Sequence, residues 1–189
     1  MSQSPEQWQA WLAEQLSSAE VVTDDVLYEH ERLEAVARLR ADELEHVEPL
    51  VGDLLAAGAA GVGAPVALFN VVLTGAQLIA GEHGLTGWMA EARATPAEWA
   101  PCAQVVRSGA QYVVPDLSAD EATRHSPLTV VDGFRAYAGV PVRTGDGAVV
   151  GSVCVLDTTP RTFTESDLDR LRAIAARAVE RLEAAAGQG

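Results

Sequence analysis

Over residues 134–157 the chain reads "FRAYAGVPVRTGDGAVVGSVCVLD", two runs in which apolar and polar positions alternate with a period of two. They flank Thr144-Gly145-Asp146-Gly147, whose Asp-Gly step predicts a tight turn between antiparallel strands. In the second run Val153, Val155 and Asp157 share one face, and Ser152, Cys154 and Leu156 the other. Upstream, "PVALFNVVLT" sets Ala67, Phe69, Val71 and Leu73 against Val66, Leu68, Asn70 and Thr74, again a strand pattern. Gly75 turns the chain and "QLIAG" returns as an antiparallel partner; "QYVV" is a further short strand.

Elsewhere the period is helical. Ser4-Pro5-Glu6-Gln7 places an N-cap, a proline at N1 and a glutamine at N3, ahead of Trp8, Trp11, Leu12 and Leu16 on one face. Thr23 caps a second predicted helix, with Val26, Leu33, Val36 and Ala37 at near-heptad spacing. A third covers residues 48–60, buries Leu50, Val51, Leu54 and Leu55, and runs out in a glycine-rich stretch. A fourth spans residues 97–108 and stops at Gly109. Thr164-Glu165-Ser166-Asp167 opens the last one, which buries Leu168, Leu171, Ile174, Ala178 and Leu182. Residues 82–101 show no strand pattern, and 116–132 read as irregular with one short helix.

Composition then narrows the function. The 189 residues are 48% hydrophobic with a mean hydropathy of +0.07, which suits one globular domain with an appendage. All 13 basic residues are Arg, so lysine-dependent chemistry is excluded: Schiff bases, the phosphate-loop lysine and the kinase strand lysine. The net charge is −14, and residues 1–53 carry 13 acids against 3 Arg, net −10. Counterion release does not bring such a chain to nucleic acid, and an anionic membrane repels it. The N-terminus has no signal-peptide pattern, so a cytoplasmic location and free thiols for Cys102 and Cys154 are expected. Glu43 and His46 have a Glu-x-x-His spacing, but the second copy that a carboxylate-bridged metal pair needs is absent, and no metal is expected.

The segments "PCAQVVRSGAQYVVPDLSADEATRHSPL" and "FRAYAGVPVRTGDGAVVGSVCVLDTTPRTFTESDLDRL" resemble a GAF domain in the order and spacing of several motifs. These are a Cys-containing helix, a strand ending in Asp, Tyr-Ala-Gly-Val-Pro, Gly-x-x-Cys-x-x-Asp, and a Pro-Arg-x-Phe lead into the last helix. The resemblance runs over about residues 30–184 and implies an α+β fold, a central antiparallel β-sheet with helices on one side; residues 1–25 have no counterpart in it and read from their helical period as an N-terminal helical extension. The expected organisation is an amphipathic extension over 1–25, the GAF-like domain over 26–186 and a tail over 187–189. Thr74 stands where related domains often carry an acid, and Pro101 replaces an aromatic residue.

In that family the irregular segment covers the sheet and walls a small-ligand pocket. The resemblance therefore implies a candidate pocket of Trp88, Trp99, Cys102, Arg124, His125, Phe134 and Tyr137. Methionine-sulfoxide reductases built on this scaffold use several cysteines in that segment, whereas this chain has Cys102 alone there and no resolving partner nearby in sequence. Bilin attachment calls for a Cys before the His, but Arg124 precedes His125, and the cyclic-nucleotide signature needs a lysine. Cys154, between Val153 and Val155, reads as a core residue, and Asp157 with Arg161 as a brace before the last helix.

The expected function is a non-catalytic sensory or regulatory module of intracellular signalling that binds a small molecule, a protein partner or both. Alternatives are a thiol-dependent reductase using Cys102 and a pure dimerisation module. The expected partners are a second copy and a basic protein at the acidic N-terminal helices.

Overall fold

A computed structural model describes residues 25–187. The first predicted helix, the Thr23 cap and most of the N-terminal extension lie outside these residues. The described chain begins with a 3₁₀ turn at Val26–Tyr28, followed by α1 (His30–Arg38), α2 (Leu44–Val62), β1 (Val66–Val72) and β2 (Ala76–His83). Next come α3 (Trp88–Ala92), β3 (Ala94–Pro96), a 3₁₀ turn at Ala97–Trp99, α4 (Pro101–Ser108), β4 (Tyr112–Val114) and α5 (Pro127–Val130). The hairpin β5 (Ala136–Arg143) and β6 (Val149–Asp157) leads to α6 (Glu165–Ala186).

The six strands form one sheet in the order β3-β2-β1-β6-β5-β4, with every neighbouring pair antiparallel. The expected α+β class and the two expected hairpins are both present. Phe69, Val71, Val153 and Val155 face the long helices α2 and α6, while Leu68, Cys154 and Leu156 face α4 and the irregular segment. Both faces of the central strands are thus covered, and β1 and β6 are buried at every position.

Several local signals act as the sequence predicted. Thr164 and Asp167 form a reciprocal capping box at the start of α6. Gly109 ends α4 with φ at +61°, a conformation that only glycine adopts without strain. Arg161 pairs with Asp157 at 3.3 Å and also donates to the carbonyls of Val62 and Gly63 at 2.8 Å each, so the brace satisfies the end of α2 as well.

Other expectations need correction. Residues 97–108 are not one helix: the 3₁₀ turn ends at Ala100, whose extended backbone precedes Pro101 at N1 of α4. Residues 82–101 contain an edge strand, β3, too short to show a period. The second predicted helix is broken at Glu29, and its buried face is Arg32, Ala35, Val36 and Leu39, with Ala37 exposed. The break lets Leu27 join the cluster beneath α4, while Ala35, Val36 and Leu39 join the one beneath α2 and α6. Arg32 sits between them, 2% exposed, and donates to the carbonyls of Val72, Leu27 and Val26 at 2.6, 2.6 and 3.3 Å.

The segment after β4 is tied down by Asp116, which receives a two-pronged Arg135 guanidinium at 2.9 and 3.1 Å and the hydroxyl of Ser118 at 2.8 Å. Arg135 first, and Ser118 next, hold its carboxyl at about 2, below the ordinary value of 3.8. The lowered value fixes the sign: this contribution to stability is complete above the ordinary value and is lost as pH falls toward about 2. Urea unfolding at several pH values should show a midpoint that drops in this window, with a shallower drop in Asp116→Asn. Among the described residues no helix is long and apolar enough to cross a membrane.

Candidate functional site

The middle of the face beneath α4 holds polar side chains where an all-apolar layer would be the ordinary solution. Asn70 of β1 and Ser152 of β6 are register partners, Cys154 lies two residues further along β6, and all three are fully buried. From above, α4 lowers Cys102 onto them: its Sγ lies 3.7 Å from Cys154 Sγ. Asn70 Nδ2 donates to both sulfurs at 3.3 Å, and the Tyr137 hydroxyl donates to Cys102 Sγ at 3.2 Å.

Gly139 makes that last bond possible. A Cβ built at Gly139 would lie 2.1 Å from the Tyr137 oxygen, so the phenol folds along β5 over the glycine to reach the sulfur. The two thiols are held unequally. Burial pushes the Cys154 thiol well above its ordinary value, reinforced by Cys102 beside it. Burial pushes Cys102 up as well, but its hydrogen bonds with Cys154, Ser152, Tyr137 and Asn70 outweigh this and leave it the more acidic of the pair.

The other predicted pocket residues divide into two groups. Trp99, Cys102, Phe134 and Tyr137 share one buried cluster with Trp88 packed against it, whereas Arg124 and His125 are exposed and bonded to each other at 3.2 Å. Trp88 Nε1 donates to Asp132 at 2.7 Å; burial raises that carboxyl, and the indole N–H works against the rise. Ser126 donates to the Trp99 carbonyl at 2.9 Å and pins the irregular segment to the turn before α4.

Two concavities lie near this cluster. A groove of about 350 Å³ runs over the outer side of α4 and is lined by Trp99, Pro101, Gln104, Arg107, Tyr112 and Thr123, among others. A larger cleft, about 570 Å³, lies between α1 and the β5–β6 turn. Two of its arginines already pair within the protein: Arg38 with Asp146 at 2.7 Å, and Arg107 with Asp25 at 2.8 Å. The groove combines the aromatic Trp99 and Tyr112 with polar Glu98, Gln104 and Thr123, the mixed lining that a small organic ligand needs.

The sequence did not point to Asn70, Ser152 or Gly139; a pairing of Cys102 with Cys154 was open on sequence grounds, and the structure places the two sulfurs together across 52 positions. The available signal was a polar residue within an otherwise apolar strand, as in "LFNVV" and "GSVC".

Comparison with known proteins gives these features a context. The model of the family described as GAF domain matches residues 50–182. A cyclic di-GMP phosphodiesterase of Pseudomonas aeruginosa, PA2567, is 30% identical over 134 residues, which are 70% of this chain and 22% of that protein. The chain thus spans about a fifth of the length of the curated relative it matches. Among solved structures, the GAF domain of an Acinetobacter phosphoenolpyruvate-protein phosphotransferase is 16% identical, with a TM-score of 0.63 over 85% of this chain and 98% of that one. The free methionine-R-sulfoxide reductase of Neisseria meningitidis, solved with its substrate, is 18% identical, with a TM-score of 0.60 over 100% of this chain and 96% of that one. At these identities the two structures share the fold with this chain.

Proposed function

The chain belongs to the GAF domain family, and from that membership we propose that it is a sensory or regulatory module that binds a small molecule and performs no catalysis of its own. The observation that supports this most is the groove beside Trp99 and Tyr112, whose volume of about 350 Å³ suits a small organic ligand. Gln104 and Glu98 in its lining supply polar groups that orient such a molecule. The reductase alternative needs Cys102 to meet a sulfoxide substrate. Yet Cys102 is 2% exposed and enclosed by Tyr137, Asn70 and Cys154, which weighs against it. The module works as a cytoplasmic homodimer, and its acidic N-terminal segment meets a basic protein that carries the signal onward.

Native mass spectrometry of the protein isolated without denaturation tests the ligand and the dimer together. The expected spectrum is a dimer with a retained small-molecule mass, which disappears in Ala122→Trp. That substitution fills the groove from an exposed position and leaves the core intact. A bare dimer would favour the assembly module, and a bare monomer would remove both parts of the proposal.

A further inference from the structure

We propose that Cys102 and Cys154 are a redox pair that closes into a reversible intramolecular disulfide when the protein meets a hydroperoxide. This inference stands on the sulfur geometry and is independent of any ligand in the groove. The sulfurs are 3.7 Å apart, against about 2.05 Å in a disulfide, so closure needs an approach of about 1.7 Å between α4 and β6. Side-chain rotation at both residues, with a small shift of α4, covers that distance.

Two features separate this arrangement from a chance meeting of core thiols. Donors converge on Cys102 Sγ from Tyr137 and Asn70, which stabilises the thiolate that attacks. Beside the sulfurs, Asn70 Oδ1 is fully buried and has no hydrogen-bond partner. Unsatisfied polar atoms in a buried layer are costly. Here the amide oxygen belongs to the same side chain that donates to both sulfurs, and it leaves an acceptor beside them for a sulfenic O–H.

The chemistry balances in two steps. The Cys102 thiolate attacks one peroxide oxygen, the O–O bond breaks, and the departing hydroxide takes up the thiol's proton as water (or alcohol from an organic peroxide), leaving a Cys102 sulfenic acid. Cys154 sulfur then attacks Cys102 sulfur, the S–O bond breaks, and water leaves with the Cys154 proton. The two sulfurs together lose two electrons, which the peroxide gains. A dithiol restores both thiols by exchange. With both sulfurs buried, the peroxide reaches Cys102 by local opening of the structure.

The test treats the full chain with a small excess of hydrogen peroxide, blocks free thiols with N-ethylmaleimide after unfolding, and maps the peptides. The expected result is a Cys102–Cys154 linked peptide, within one chain, that dithiothreitol reverses. It should form at least about tenfold faster than in the urea-unfolded chain. In Cys154→Ser the reaction should stop at the sulfenic acid, trapped on Cys102 by dimedone. The proposal is overturned if both thiols remain free for alkylation, if the folded protein oxidises no faster than the unfolded chain, if the link joins two copies, or if the Cys154→Ser variant yields no Cys102 adduct.

Discussion

Gly151→Ala is expected to abolish folding or to cost more than about 4 kcal/mol. Gly151 lies in the central strand β6 opposite Val71 of β1. A Cβ there would sit 1.9 Å from the Asn70 carbonyl oxygen, 2.9 Å from its carbon and 3.1 Å from Val71 Cα. All three atoms are backbone, so no rotamer change relieves the collision. The strands would have to part by about 1 Å, lengthening ladder bonds and opening the polar layer of Asn70, Ser152 and Cys154. Gly52 is the control. It lies inside α2 with nothing within 4 Å of its would-be Cβ, and Gly52→Ala should stabilise by about 0.5–1 kcal/mol. Urea unfolding of the two variants and the parent gives the comparison, and a Gly151→Ala midpoint equal to the parent's would refute the close approach of β1 and β6.

Arg32→Leu should be the next most damaging, at about 3–5 kcal/mol. The carbonyls of Val72 and Leu27 lose their side-chain donor, while that of Val26 keeps the Glu29 N–H, and an unsatisfied buried acceptor costs about 1–3 kcal/mol. Leucine fills part of the volume but donates nothing. Arg32→Lys should recover little, because an ammonium cannot fork to carbonyls on different segments. Thermal denaturation of the three proteins checks this; a Lys variant as stable as the parent would show that charge matters there and the fork does not.

Arg32 also shows why the N-terminal pattern was only partly legible. The helical period over residues 30–38 is present, but a charged residue counts as polar in any hydrophobic pattern. The predicted face therefore shifted toward Leu33 and Ala37. What buries Arg32 is the end of β1, 40 positions away, whose carbonyl needs a donor.

Strand alternation, the Asp-Gly turn, the capping box at Thr164, the Gly109 stop and the family motifs are local, and the sequence alone determined them. Each depends on residues within a few positions of one another, where backbone sterics and short-range hydrogen bonds decide the outcome. Composition likewise settled that lysine chemistry is absent. The thiol site is different. Cys102, Cys154, Asn70, Ser152 and Tyr137 come from a helix and three strands, and only the register of β1 on β6 and the seating of α4 bring them within hydrogen-bond reach. Sheet register and helix docking are set by the packing of the whole core, so the proximity of two sulfurs 52 residues apart was a property of the tertiary structure alone.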